Sequence, residues 1–134
     1  MTESVRLIFR AVATESFREL SEAASDLDPS FRGSTTHYSK SSEEMLILGF
    51  LVPPTPNGDE VAVTVALRDG LPLAISGDIV VGPQIVFDQL DTVDSSSPDL
   101  EQDIRTFCSA FAASARQPLL ESLESLALAN GTCP

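Results

Sequence analysis

Basic residues are missing from a long stretch of this 134-residue chain. No Lys or Arg lies between Arg68 and Arg105. Eight acidic residues fall in the same segment, namely Asp69, Asp78, Asp88, Asp91, Asp94, Asp99, Glu101 and Asp103. The whole chain has 20 acidic against 8 basic residues and a net charge of -12, so this segment supplies most of the imbalance. Such a potential repels phosphate and attracts basic partners, which argues against nucleic acid as a ligand.

Histidine, cysteine and long apolar runs are also scarce. His37 is the only histidine, which excludes any site that needs two imidazoles. The two cysteines, Cys108 and Cys133, provide no disulfide framework, and we expect free thiols. The longest apolar run, residues 45–52, is far shorter than the ~20 residues of a membrane span. The N-terminal residues lack the architecture of a signal peptide, so the expected location is the cytoplasm, without membrane association.

Recognisable catalytic and ligand-binding motifs are absent as well. The acids of residues 88–103 lack the glycine-containing spacing of a calcium-binding hand. Ser76-Gly77 does not form a G-x-S-x-G elbow, and no G-K-[ST] follows Gly82. Cys108 falls on an apolar helical face, where a thiol is a small hydrophobe and not a partner for His37. The sequence therefore predicts a non-enzymatic protein with no metal and no cofactor.

The residues that are present predict a helix followed by strands. Apolar residues at three- and four-residue steps predict a first helix over about residues 4–24, ended by Asp28-Pro29. Residues 30–42 are polar and fit either a loop or an edge strand. Residues 45–52 predict a buried strand, and Asn57-Gly58 a hairpin turn.

Alternating apolar residues predict the rest of a sheet. They cover residues 61–67, then Leu71, Leu73 and Ile75, then 79–81, and finally 85–87, with a bulge or turn at Gly77-Asp78. The links are too short for parallel crossovers, so four or five antiparallel strands are expected.

A second long helix is predicted after the strands. Ser97 is a candidate cap with Pro98 at the first helical position, and Pro118 is expected to kink the helix or start another. Apolar positions from Leu100 onwards mark one face. The predicted fold is a single α+β domain over residues 1–134, with an antiparallel sheet covered on one face by an N-terminal helix and a long, proline-interrupted C-terminal helix.

The acidic segment is the candidate binding surface. We expect a basic protein partner to contact Asp88, Asp91, Asp94, Asp99, Glu101 and Asp103. A simpler interpretation treats these acids as solvated charge at a strand end, in a loop and at a helix start. Leucines after Pro118 leave a homodimer through the C-terminal helix open. The alternative function is a ligand pocket, or a carboxylate-based enzyme, between sheet and helices, with His37, Tyr38 and inward acids as candidates.

In size, charge and architecture the chain resembles two groups of small acidic proteins. One group is the bacterial immunity proteins, which neutralise cationic toxins, and the other is the acidic secretion chaperones. No motif favours one group over the other. Either resemblance implies a non-catalytic protein that binds a basic partner, for which apolar anchor residues would also be needed.

Overall fold

A computed structural model describes residues 1–51 and 60–127. The elements are, in chain order, α1 (Glu3–Leu27), β1 (Gly33–Lys40), β2 (Glu43–Leu51), β3 (Glu60–Arg68), β4 (Leu73–Val81), β5 (Gln84–Val93) and α2 (Leu100–Ala127). The five strands form one sheet in the order β1-β2-β3-β4-β5, and every neighbouring pair is antiparallel. The predicted α+β class and antiparallel sheet are confirmed, and the polar segment before β2 is an edge strand.

Both helices pack on the same face of the sheet and against each other. α1 lies over β2, whereas α2 lies over β3, β4 and β5. The apolar stripe of α1 is buried as its periodicity predicts, and four phenylalanines fill the centre of the core, namely Phe9, Phe17, Phe50 and Phe111. Burial of these large rings removes much apolar surface from water, so they contribute strongly to the cohesion of the core between the sheet and the two helices.

Alternation along the strands decides which side chains face the helices. In β2, Leu46, Leu48 and Phe50 are buried and alternate with half-buried Met45 and Ile47. Side chains of the second set lie on the opposite face, which no described element covers. We call it the outer face.

Two strand-level expectations were wrong. The chain does not bulge or turn at Gly77-Asp78, because β4 continues through both residues. Gly77 instead gives Phe111 room: a Cβ there would lie 2.6 Å from the Phe111 Cδ1 atom. Leu71 was expected to be a buried strand position, but it precedes β4 in a turn and is 97% exposed.

The C-terminal helix also differs from its prediction. It begins at Leu100, two residues after Pro98, and the Asp99 amide donates to Ser97 Oγ (3.1 Å), which is the side-chain contact expected of the predicted cap. It then continues through Pro118 without a break. Leu119 and Leu123 are fully buried. Three predicted features lie outside the described residues, namely the turn at Asn57-Gly58, the end of the run 45–52 at Val52, and Cys133.

Candidate functional site

The length of β5 determines where the predicted acids lie. The sequence indicated a strand over 85–87 only, but pairing with β4 extends it from Gln84 to Val93. Asp88 and Asp91 are therefore strand residues and not strand-end charges. Because side chains alternate along a strand, Asp88 lies on the outer face opposite Asp78, whereas Asp91, opposite Ile75, lies on the helix side.

Three of the six predicted acids meet in a groove between β5 and the first half of α2. We call it the acidic groove; it is lined by Gln89, Asp91, Thr92, Val93, Asp94, Asp103, Thr106, Phe107 and Ala110. None of these residues is basic. The nearest arginine in sequence, Arg105, is on another side of α2, where its Nη1 atom lies 2.6 Å from Glu15 Oε2 of α1. The carboxylates of the groove thus have no cation among its lining residues.

The turn that leads into α2 fixes one of these carboxylates. Asp94 Oδ1 accepts hydrogen bonds from the Ser96 hydroxyl (2.7 Å) and the Ser96 amide (2.9 Å). These bonds favour the ionised form and lower the pKa of Asp94. The two remaining predicted residues, Asp99 and Glu101, are exposed at the start of α2 and do not line the groove. The structure therefore brings together Asp91, Asp94 and Asp103, and separates the other three.

A second groove continues along the same border towards the other end of β5. We call it the mixed groove; it is lined by Val81, Gln84, Val86, Pro118, Glu121, Ser122, Ser125 and Leu126. Phe87 lies between the two grooves, with its ring centroid 5.9 Å from that of Phe111. The border between β5 and α2 therefore has three carboxylates at one end and a mixed lining of apolar and polar side chains, including Glu121, at the other.

The outer face beside β5 is apolar, with two carboxylates at its centre. Ile85 and Leu90 are 64% and 73% exposed there. Asp78 and Asp88 are direct cross-strand neighbours, and Asp78 Oδ1 is buried without a hydrogen-bond partner. Burial and then the charge of Asp88 raise the pKa of Asp78. Large apolar side chains left in water beside carboxylates are typical of a surface that binds another protein.

A buried ionic cluster that the sequence did not indicate joins α1 to the β1–β2 hairpin. Glu44 is 0% exposed, and its carboxylate contacts Arg6 (Nη1 to Oε2, 2.9 Å), Arg10 and His37. Arg6 also donates to the Ser39 hydroxyl (2.6 Å) and to the Glu43 carbonyl (3.2 Å). This arrangement pairs every charged atom of the carboxylate, as a buried charge requires.

The contacts of the cluster and the pKa of Glu44 indicate a structural role. Burial by itself disfavours the charged carboxylate, but hydrogen bonds from Arg10, Ser39, His37 and Arg6 outweigh it and lower the pKa of Glu44 to about 2. A carboxylate held ionised at every physiological pH is unsuited to proton transfer. One signal in the sequence could have indicated this cluster. Glu44 precedes Leu46 and Leu48 in the alternation that marks the buried face, so it is a charged residue at a buried position.

The residues proposed for a ligand pocket do not converge. His37 contacts Glu44 on the helix side of β1, whereas Tyr38 lies on the outer face, 49% exposed. Among the described residues, the buried polar side chains are Arg6, Ser16 and Glu44, and the rest of the core between sheet and helices is apolar. Cys108 is fully buried in α2 as predicted, and burial raises the pKa of its thiol to about 12.

Two properties of the described residues concern metal binding and membrane crossing. Within residues 1–51 and 60–127, no three His, Cys, Asp or Glu side chains converge as a metal site would require. In the same part of the chain, neither helix has an apolar stretch of the length that a bilayer crossing needs.

Comparison with known proteins finds no match to this chain. A scan against protein-family models finds no match, and searches of curated proteins and of solved structures find no significant similarity.

Proposed function

We propose that this chain is a non-catalytic protein-binding module whose partner is basic. One observation carries the proposal: β5 has uncompensated carboxylates along its helix side, at the border with α2, and exposed apolar side chains on its outer face. Asp91, Asp94 and Asp103 line a groove without a cation, and Leu90 and Ile85 stand exposed on the same strand.

The two kinds of side chain contribute to binding in different ways. Carboxylates at the rim of an interface attract a cationic partner, and they raise the association rate and the specificity more than the affinity. Affinity depends on a few apolar or aromatic anchors that become desolvated at the centre of the interface. The sequence offered only the charges, whereas Leu90 and Ile85 supply the anchors.

The charge pattern favours a different protein over a second copy of this chain. Two chains that each carry a net charge of -12 repel each other, and the repulsion is strongest where the acidic grooves would meet. The leucines offered for a homodimer are mostly unsuited to it, because Leu119 and Leu123 are in the core and Leu120 is half-buried. Partners of the right chemistry are a cationic toxin, neutralised by an immunity protein, or a basic secreted protein held by a chaperone. We place the encounter in the cytoplasm, where Cys108 would stay a free thiol.

The test begins with the identification of a partner and is decided by kinetics. Proteins crosslinked to the wild-type chain in its source cells are identified, and the candidate is purified. Stopped-flow association is then measured across a salt series for the wild type and for the triple variant Asp88→Asn, Asp91→Asn, Asp94→Asn. The variant should associate several-fold more slowly at low salt and show a weaker salt dependence, since rim charges act through the encounter.

A matched control removes three acids from another surface. Glu19, Glu22 and Asp26 of α1 are exposed, and their replacement by Gln, Gln and Asn gives the same net charge as the triple variant. Both variants should fold. In the triple variant, Asn at position 94 keeps the Oδ1 acceptor for Ser96, and in the control the three replaced acids are exposed. Equal rates and salt slopes for the triple variant and the wild type would show that the acids near β5 are merely solvated, and would refute the proposal.

A further inference from the structure

The sheet has two edges, and they differ in chemistry. β1 forms one edge with the polar sequence GSTTHYSK, and His37 and Ser39 on its helix side belong to the Glu44 cluster. β5 forms the other edge over ten residues, Gln84–Val93, and pairs only with β4 among the described residues. An edge strand presents backbone N–H and C=O groups that another strand can pair.

The β5 edge has two of the features that protect edge strands from pairing, namely the charges of Asp88 and Asp91 and one register shift, but it lacks others. Lysine and proline are common protective residues on edge strands, and β5 contains neither. Ile85, Val86 and Leu90 are instead exposed large apolar residues on this strand. The pairing of β5 with β4 has one irregularity, a register shift between Ile79 and Val80 of β4. From Phe87 to Val93 the pairing is regular. The regular part of the edge is long enough for several backbone hydrogen bonds.

The space beside this edge is also suited to a strand. A sixth strand would direct every second side chain towards α2, along the border that the acidic and mixed grooves occupy. Its other side chains would extend the outer face, next to Asp88 and Leu90.

On the basis of the proposed function, we propose that the basic partner binds as an extended segment that adds to β5 as a sixth strand. Cross-strand pairing then defines the side chains of the segment. A cationic residue opposite Asp91 would point into the acidic groove, an apolar residue opposite Leu90 would cover that leucine, and a second cationic residue would lie opposite Asp88. An antiparallel segment therefore carries two cationic residues three positions apart, with an apolar residue directly after the first.

Charge makes a second copy of β5 a poor occupant of the same edge. Self-pairing would bring Asp88 and Asp91 close to their own counterparts and place two acidic grooves side by side. Like charges opposite or diagonal to each other destabilise a strand pair, whereas lysines at the same positions stabilise it.

The probe for strand addition is a synthetic ten-residue peptide of threonine and valine that carries two lysines three positions apart, with a valine directly after the first lysine. Its binding to the full chain is measured by fluorescence anisotropy, and hydrogen exchange of the backbone amides is followed by NMR with and without peptide. We expect saturable binding, slower exchange at β5 amides and no change at β1. Two matched peptides serve as controls. One carries N-methyl groups on the amides of its pairing edge, and the other has glutamate in place of both lysines. Each should bind at least tenfold more weakly.

The outcomes separate this mode from the proposed function. Equal binding of the N-methylated peptide would overturn strand addition and leave charge-driven binding of a basic partner intact. Protection at β1, or no binding of the lysine peptide at millimolar concentration, would also overturn it, while the stopped-flow test with the purified partner judges the proposed function independently. Concentration-dependent dimerisation with protection of β5 in the absence of peptide would identify a second copy as the occupant and refute the proposal.

Discussion

Replacement of Glu44 by Gln should lower the free energy of unfolding by about 3 kcal/mol at neutral pH. The substitution keeps the size of the side chain but removes the negative charge between Arg6, Arg10 and His37. Arg6 is itself buried, so its guanidinium would lose the only carboxylate it contacts among the described residues while remaining out of water. An uncompensated buried charge is the costly element of the variant.

The size of the effect follows from the pKa of Glu44. The fold lowers this pKa from 4.5 to about 2. At about 1.4 kcal/mol per pKa unit, the difference corresponds to roughly 3 kcal/mol of stabilisation. Removal of one member of a buried ion pair costs about 3–5 kcal/mol in other proteins, which agrees with this value.

The sign of the pH dependence follows from the same shift. Because the pKa is lower in the folded protein, the stabilisation is fully present above the unfolded value of 4.5 and is lost as the pH falls towards about 2. Other carboxylates titrate in the same range, so the informative quantity is the difference between the wild type and the Gln variant at each pH. That difference should shrink on acidification.

Urea unfolding followed by far-ultraviolet circular dichroism measures this difference, since the chain has no tryptophan. Glu43→Gln is the control: Glu43 Oε2 lies 3.8 Å from Arg68 Nε, whose side chain is 63% exposed. Such a surface pair contributes about 0–1 kcal/mol. If Glu44→Gln cost no more than Glu43→Gln, or if its cost were constant between about pH 6 and pH 2.5, the cluster would not stabilise the fold as described.

Three further predictions concern the core and metal independence. Gly77→Ala should lower the free energy of unfolding by about 1–3 kcal/mol in urea titrations, because the added Cβ would collide with the Phe111 ring. Gly49→Ala is the control and should cost less, because a Cβ at Gly49 would lie at ordinary contact distances from its neighbours. In a Cys133→Ser variant, a thiol reagent should label Cys108 only at the rate of unfolding, since that thiol is buried with a pKa raised to about 12; fast labelling of the native protein would contradict its core position. A chelator should leave the melting temperature unchanged, and a drop reversed by calcium would reveal a metal site.

Patterns along the chain were sufficient to predict the elements and the core. Three- and four-residue spacing identified α1, and alternation from Val61 to Leu67 identified the buried face of β3. Both patterns are local consequences of how helices and strands expose side chains, so they survive without knowledge of the partner elements. The position of Cys108 between Phe107 and Phe111 predicted its burial for the same reason.

The extent of β5, in contrast, depended on tertiary pairing. Aspartate is unfavourable in strands, so residues 88–93 did not resemble one in isolation. Backbone pairing with β4 outweighs that preference, since it forms hydrogen bonds that no local pattern reveals. Strand pairing therefore extended β5 through these residues, and their odd spacing within it places Asp88 and Asp91 on opposite faces.

The acidic groove and the Glu44 cluster are assembled from distant segments. Asp91 meets Asp103 because β5 packs beside α2, and Glu44 meets Arg6 and Arg10 because α1 lies over β2. The sequence by itself determined the acidic excess, the order of the elements and the apolar faces, since each depends on residues close together in the chain. Only the tertiary structure decided which charges are paired and which remain free for a partner, because Coulomb attraction and hydrogen bonding depend on distances that packing sets.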